Sequence, residues 1–164
     1  MADDRQYHRA CSPARRRRTQ GQRGADAQGL GRSRGGLSTK IHAATEALGL
    51  PVRLIASPGQ RNDIAFAHNL IDGIETEATI ADKGYDADHL ADRIAKAGTD
   101  VVIPPKRNRK VHRDYDIDLY KERNRIERFF SKLKQFRRVA TRFEKTARHY
   151  LAVVTIAATV LWIK

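Results

Sequence analysis

Tyr120, Arg123, Glu127 and Lys134 set a phenol, two cations and one carboxylate at intervals of three, four and seven residues. At about 100° per residue, a helix through this stretch, YKERNRIERFFSKLK, gathers all four within an arc of roughly 60°. Leu119, Ile126, Phe129, Phe130 and Leu133 make an apolar arc beside it, so the helix buries one side and carries the polar four along its border. Glu and Arg at helical spacing most often form a solvated ion-pair face. The alternative is a core-packed helix that aims a single acid at something. A second carboxylate, Asp82, closes the short apolar run Ala78-Thr79-Ile80-Ala81 just before Gly84. Turn chemistry accounts for most acids so placed, whereas an acid at a strand end can also project into a cleft beyond the sheet edge, where open α/β sheets place their ligands.

The elements that must position these groups can be read on either side of them. Leu37 to Thr45 and Leu50 to Ala56 read as two strands joined by Glu46-Ala47-Leu48-Gly49, a hairpin-length connection, and are expected to pair antiparallel. Asn62 or Asp63 can cap a helix running to about Ile71, with Ile64, Phe66, Ala67 and Leu70 on its buried side and His68 on its face. Beyond Asp82, Asp86 or Asp88 can cap a helix through Leu90, Ile94 and Ala97 that stops at Gly98, and Asp100 to Ile103 adds a further strand. Pro104 and Pro105 end that strand, Lys106 to Arg113 form a basic loop open to phosphate, and Asp116 or Asp118 caps the helix of Tyr120. A last helix from about Thr146 is expected to bury Leu151, Val154, Ile156, Val160, Leu161 and Trp162.

Composition narrows the partners. The chain has 164 residues, 32 Lys and Arg against 19 Asp and Glu, and a net charge of +13. One domain, or a domain with a tail, suffices for that length. So basic a chain points to a polyanion, with nucleic acid as the default. The apolar run from Tyr150 to Ile163 falls short of the roughly 20 residues needed to span a bilayer, so no membrane partner is expected. A single cysteine, Cys11, excludes a disulfide framework, and the six histidines lack zinc-ligand spacing. No apolar stretch follows the N-terminal arginines, so the chain reads as cytoplasmic. Gly31 and Gly36 have the separation of a phosphate-loop motif, but Leu37 stands where its lysine should be. The segment Gly29 to Lys40 therefore reads as a basic turn feeding a strand, with Arg32, Arg34 and Lys40 available to DNA backbone.

The run of Tyr120, Arg123, Glu127 and Lys134, with two, three and six residues between them, resembles the signature of bacterial insertion-sequence transposases of the DDE type. Ile80-Ala81-Asp82-Lys83-Gly84-Tyr85 resembles that family's second-acid motif, and the wording GRSRGGLSTKIH at Gly31 to His42 also resembles the family at that point of the chain. The resemblance covers about Gly29 to Lys164. It implies an α/β, ribonuclease H-like fold with a mixed sheet flanked by helices over residues 29–164. It implies metal-dependent cleavage of double-stranded DNA at transposon ends by water, followed by attack of the freed 3′ hydroxyl on target DNA. Asp82 and Glu127 become the catalytic acids and ligands of Mg2+ or Mn2+, Arg123 and Lys134 phosphate contacts, and Tyr120 a stacking or hydrogen-bonding group near the site. Two such ions about 4 Å apart can stabilise both the attacking and the leaving oxygen.

One departure stands out: the family's first acid has no counterpart here, so the competence of this chain acting alone is the open point. Residues 1–28 read as a basic tail, with Arg15 to Arg18 as a charge block. They admit a second reading, because Asp3 to Ser12 can be encoded by bases that, one nucleotide later, spell M-I-D-S-T-I-V-R-A-H. That string resembles the family's first catalytic strand, and its Asp requires that Arg5 be encoded by CGA. Asp3, Asp4 and Asp26 are acids without an aliphatic strand around them, and none is carried over. Beyond DNA, the protein partner implied is a further copy of the chain or an upstream-frame product. The competing function is a non-catalytic basic DNA-binding fragment or transposition regulator. A ribosomal-type RNA-binding protein would explain the charge but not the ordered polar face.

Overall fold

The computed structural model describes residues 5–8, 28–33 and 36–163, the first four through their backbone. Arg34 and the remainder of residues 1–27, with Asp3, Asp4, Asp26 and Arg15 to Arg18, lie outside the described residues. Arg5–His8 (β1), Gly31–Ser33 (β2), Gly36–Thr45 (β3) and Pro51–Pro58 (β4) form one antiparallel sheet in which every other strand pairs with β3. The hairpin between β3 and β4 is as expected, running from Thr39 opposite Pro58 to Thr45 opposite Pro51, with a register irregularity at Ala44/Thr45. Its turn is held by Glu46, whose carboxylate accepts from the backbone N–H of Leu48 and Leu50, and by Gly49 at a φ of 87°. β1 lies inside the stretch expected to be a tail, paired from Arg5 opposite Ile41 to His8 opposite Ser38.

A helix from Ile64–Ile71 (α1) leads to Ala78–Ile80 (β5), Asp88–Lys96 (α2) and Asp100–Val102 (β6). β5 and β6 pair in parallel through this strand–helix–strand unit, and among the described residues they form a sheet of their own. The C-terminal part is helical: Ile117–Tyr120 (α3), Asn124–Leu133 (α4), Arg137–Ala140 (α5) and Ala147–Ile163 (α6). The architecture is α/β, with its sheets flanked by helices. No helix of the described residues is long and apolar enough to cross a membrane.

β3 is covered on both faces, and the period of two along a strand decides what covers each. Ile41 and Ala43 meet Ile126, Phe129, Phe130 and Leu133 of α4 and Val154, Ala157 and Ala158 of α6. Ala44 faces the other way, into Ala67 and Leu70 of α1, Leu90 and Ile94 of α2, and Ala81, Tyr85 and Ile103. Lys40 and His42 share that second face. Arg142, only 4% exposed, closes the first layer. Its guanidinium donates to the hydroxyl of Thr39 and to the carbonyls of Gln28 and Lys145, while Nε donates to the Glu144 carbonyl at 3.0 Å. Gly29 permits this closure, because a Cβ there would lie 2.7 Å from that of Ala147.

Three expectations need correction. The single helix expected around Tyr120 is interrupted: Asp116 caps α3 by accepting from Asp118 and Leu119, and Lys121–Arg123 then forms a 3-10 turn before α4. The Asp118–Lys121 and Glu122–Arg125 ion pairs, each spaced i, i+3, suit that tighter winding, in which such residues eclipse. Neither Asp86 nor Asp88 caps α2; the N-cap is Ala87, because both carboxylates are spent on arginines. Finally, α6 docks through Tyr150, Val154, Ala157 and Ala158, with Val153 and Leu161 packed against that core, while two side chains expected to be buried are largely outside it: Ile156 is 66% exposed and Trp162 48%. A helix lying on one layer buries one stripe, and the remaining residues face outward.

Truncation should separate the two faces of the helical layer. Phe130→Ala is expected to cost about 3 to 5 kcal/mol by leaving a cavity under β3, and Ile156→Ala under about 0.5 kcal/mol, both measured by urea unfolding.

Candidate active site

The carboxyl end of β5 carries Asp82. The parallel ladder extends one residue beyond the strand, Ala81 N–H donating to Val102 O at 3.1 Å, so the chain is held in line until it turns. Asp82 is extended, and its carboxylate accepts from Gly84 N–H to open a 3-10 turn over Lys83–Tyr85. A Cβ on Gly84 would lie 3.0 Å from Asp82 Oδ1 and 3.8 Å from Asp63 Oδ2, so both carboxylates border one point beside this turn.

Asp63 was expected only as a helix cap. It stands at the N-cap of α1 without making a side-chain cap bond, because Oδ1 accepts from Lys40 Nζ at 2.9 Å. The Lys40 side chain is 8% exposed and that of Asp63 21%. Lys40 also donates to Arg61 O at 3.0 Å. Its placement corrects the expectation that Lys40 contacts DNA: a residue of a strand covered on both faces is turned into the protein. The signal for this pair was a lysine within STKIHAA, a run too apolar to leave an ammonium unanswered. Next to the pair, His42 is fully buried, with Nε2 2.8 Å from Ser57 Oγ and its ring stacked on Phe66 at 4.7 Å. Burial, with a smaller contribution from Lys40 and against the attraction of Asp63, lowers its pKa from 6.5 to about 4.

Tyr120 connects the two candidate acids. Its hydroxyl is pushed above the usual phenol value, first by burial and then by the charge of Asp82, with Arg123 pulling the other way. Arg123 sits 5.8 Å from the centre of the Tyr120 ring and donates Nη2 to Glu127 Oε1 at 2.8 Å. Tyr120, Arg123 and Glu127 thus follow one another as neighbours, and the charge of Asp82 reaches the Tyr120 hydroxyl. Lys134 stands exposed at the end of α4, about 10 Å further along the axis at 1.5 Å per residue. Arg32 is exposed on β2, and Arg34 lies outside the described residues. A cavity of about 1040 Å³ between β3, β5 and the start of α4 is lined by Thr45, Ala78, Ile80, Arg123 and Ile126, and neither acid is among its walls. Both acids are partly exposed.

Hard carboxylate oxygens suit a divalent ion of the magnesium type, which keeps several waters and takes one or two protein carboxylates together with substrate phosphate. Among the described residues no three His, Cys, Asp or Glu side chains gather closely enough to enclose an ion. The donor type of Asp82 and Glu127 fits such an ion.

The family model described as "Transposase DDE domain" matches residues 4–162, a span beginning well before Gly29 and including β1. A Brucella ovis protein named for a transposase of insertion sequence element IS6501 is 40% identical over 132 residues, covering 78% of this chain and 100% of that protein. No solved structure matches the chain.

Breaking the Lys40–Asp63 pair from one side leaves a charge stranded: Lys40→Met is expected to destabilise by roughly 3 to 5 kcal/mol, most of which the double change Lys40→Met/Asp63→Leu restores. Denaturant melts of the two variants measure the difference. His42 sets a pH dependence of known sign. Its folded pKa lies below the unfolded one, so its contribution is complete above pH 6.5 and is lost as pH falls towards about 4. The loss is about 3 kcal/mol over that window, read as the difference in stability at its two ends, and His42→Asn should lack that component.

Proposed function

Since the chain belongs to the transposase DDE domain family, the family of DNA transposition at insertion sequences, we propose that it carries part of the site that cuts and joins DNA there, with Asp82 and Glu127 as its reacting acids. What supports this reading is the setting of the two acids, Asp82 at the carboxyl end of β5 and Glu127 on α4, where Arg123 donates to it at 2.8 Å and lies 5.8 Å from the centre of the Tyr120 ring. Under it the fold is ribonuclease H-like: an antiparallel hairpin, a parallel strand–helix–strand unit whose first strand ends in an acid, and a later helix, α4, carrying the other.

Divalent metal ions serve this family. Asp82 and Glu127 would hold Mg2+ or Mn2+ here. When bound, such an ion offsets the repulsion between carboxylates and stabilises charge on the oxygens of a phosphate undergoing in-line displacement. The chain's own groups do the rest. Tyr120, its pKa raised by burial, keeps its proton through neutral pH and can donate it to a phosphate oxygen. Arg123 holds Glu127 in position, and its planar guanidinium is matched to phosphate. Lys134, Arg32 and Arg34 offer positive charge to the backbone of the duplex. Lys40 works indirectly, turning Asp63 towards the Gly84 turn as a third carboxylate beside Asp82. The substrate is double-stranded DNA, both transposon end and target, with a further copy of the chain or an upstream-frame product completing the assembly.

The second reading is a DNA-binding fragment or regulator without activity. A nicking assay on an end-sequence duplex decides between them. Metal-dependent nicking is expected, falling on the order of 100-fold or more in Asp82→Asn and in Glu127→Gln while binding persists. Binding with no nicking at any Mg2+ or Mn2+ concentration would select the fragment, and nicking indifferent to both substitutions would remove these acids from the reaction.

A further inference from the structure

Asp86 lies four residues beyond Asp82, and its side chain is 2% exposed in a chain with a large excess of cations. Its carboxylate accepts from the backbone N–H of Lys106 at 2.8 Å and from Arg109 Nη1 at 2.8 Å, and Arg113 Nη2 stands 3.4 Å away. The Asp86 carbonyl accepts from Lys106 Nζ at 3.0 Å. Asp88 takes the other arm of Arg109 and also Arg113 Nη2 at 2.6 Å. Arg109 Nε is spent within the loop, on Val111 O at 2.8 Å. Two acids at the start of α2 therefore take up two of the three arginines, Arg109 and Arg113, of a loop that reads as basic in sequence. At its far end the loop leads to Tyr115, which rests edge-on against Tyr120 at 5.6 Å. One end is thus tied to the turn of Asp82 and the other to the phenol beside Arg123, while Arg107 and Lys110 are left exposed between them.

We propose that Lys106 to Arg113 is a preformed cationic ridge that grips the sugar-phosphate backbone of duplex DNA beside the two acids, Arg107 and Lys110 making the contacts while Arg109 and Arg113 serve as internal struts. The location of the ridge beside a reacting site rests on the reading above; its binding role does not. Pinning the loop in advance removes much of the ordering cost that a loose basic loop pays when it meets DNA. Cations with no carboxylate partner can release counterions from the duplex, whereas the struts, already neutralised, add nothing to that term.

The test is the salt dependence of duplex affinity, measured by fluorescence anisotropy on the full chain with random-sequence DNA and no divalent metal. Each phosphate contact contributes about −0.9 to the slope of log K against log salt. Arg107→Gln/Lys110→Gln should flatten the slope by roughly 2 with an unchanged thermal melt. Asp86→Asn should open the loop to trypsin in the native protein and flatten the slope as well. If that variant does not fold, Asp88→Asn, on a side chain 76% exposed, takes its place in both measurements. An unchanged slope in the double variant overturns the proposal, as does a trypsin-sensitive loop that binds DNA as before. The catalytic reading fails separately: a flattened slope in a protein that never nicks leaves the ridge standing, and nicking with an unchanged slope removes the ridge alone.

Discussion

A lysine on a strand covered on both faces must be neutralised where it stands, and Asp63 does this for Lys40. The pair fixes more than a charge. It ties the start of α1 to the middle of β3 and turns one acid towards the Gly84 turn, on the sheet face that also leads to Asp82. Taking two charges out of water is costly, and hydrophobic replacements often do as well for stability. A pair kept in such a position buys placement, which an apolar substitute could not supply.

The same constraint recurs across the molecule because acids are scarce. With 19 Asp and Glu against 32 Lys and Arg, several cations turned into the protein take a carboxylate that local sequence would assign elsewhere. Asp63 leaves the cap of α1 for Lys40, Asp86 and Asp88 leave the cap of α2 for Arg109 and Arg113, and Glu127 accepts from Arg123. Arg142 is held by carbonyls, the Thr39 hydroxyl and the Tyr150 ring, 5.2 Å from its guanidinium carbon. Surface cations then remain for a polyanion, which is how one composition serves both interior and interface.

Local signals were legible where neighbours in sequence decide the outcome. The β3–β4 hairpin, the strand–helix–strand order around α2, a cap at Asp116 or Asp118 and the apolar stripe of α4 all follow from periodicity and turn residues. Fixed spacing made the polar border of α4 visible, and the family it resembles is the one to which the chain belongs. What was not legible depended on distant partners. Asp63, Asp86 and Asp88 look like caps until a lysine or arginine from another element is brought to them, more than 20 residues away in each case. Lys40 looked like a surface cation because burial on the second face of β3 comes from α1, and Ile156 and Trp162 looked buried because hydropathy does not say how many layers a helix touches.

The bonds of Arg142 to Gln28 and Gly29 join positions 114 and 113 apart, and Trp162 donates to Pro51 O across 111. As the nascent polypeptide leaves the ribosome from its N-terminus, its central antiparallel strands must wait, half-covered, for helices more than 100 residues downstream. Maturation of this molecule is therefore gated by the synthesis of those helices, and a product cut short before them would retain an uncapped, aggregation-prone sheet in place of a smaller working version of the protein.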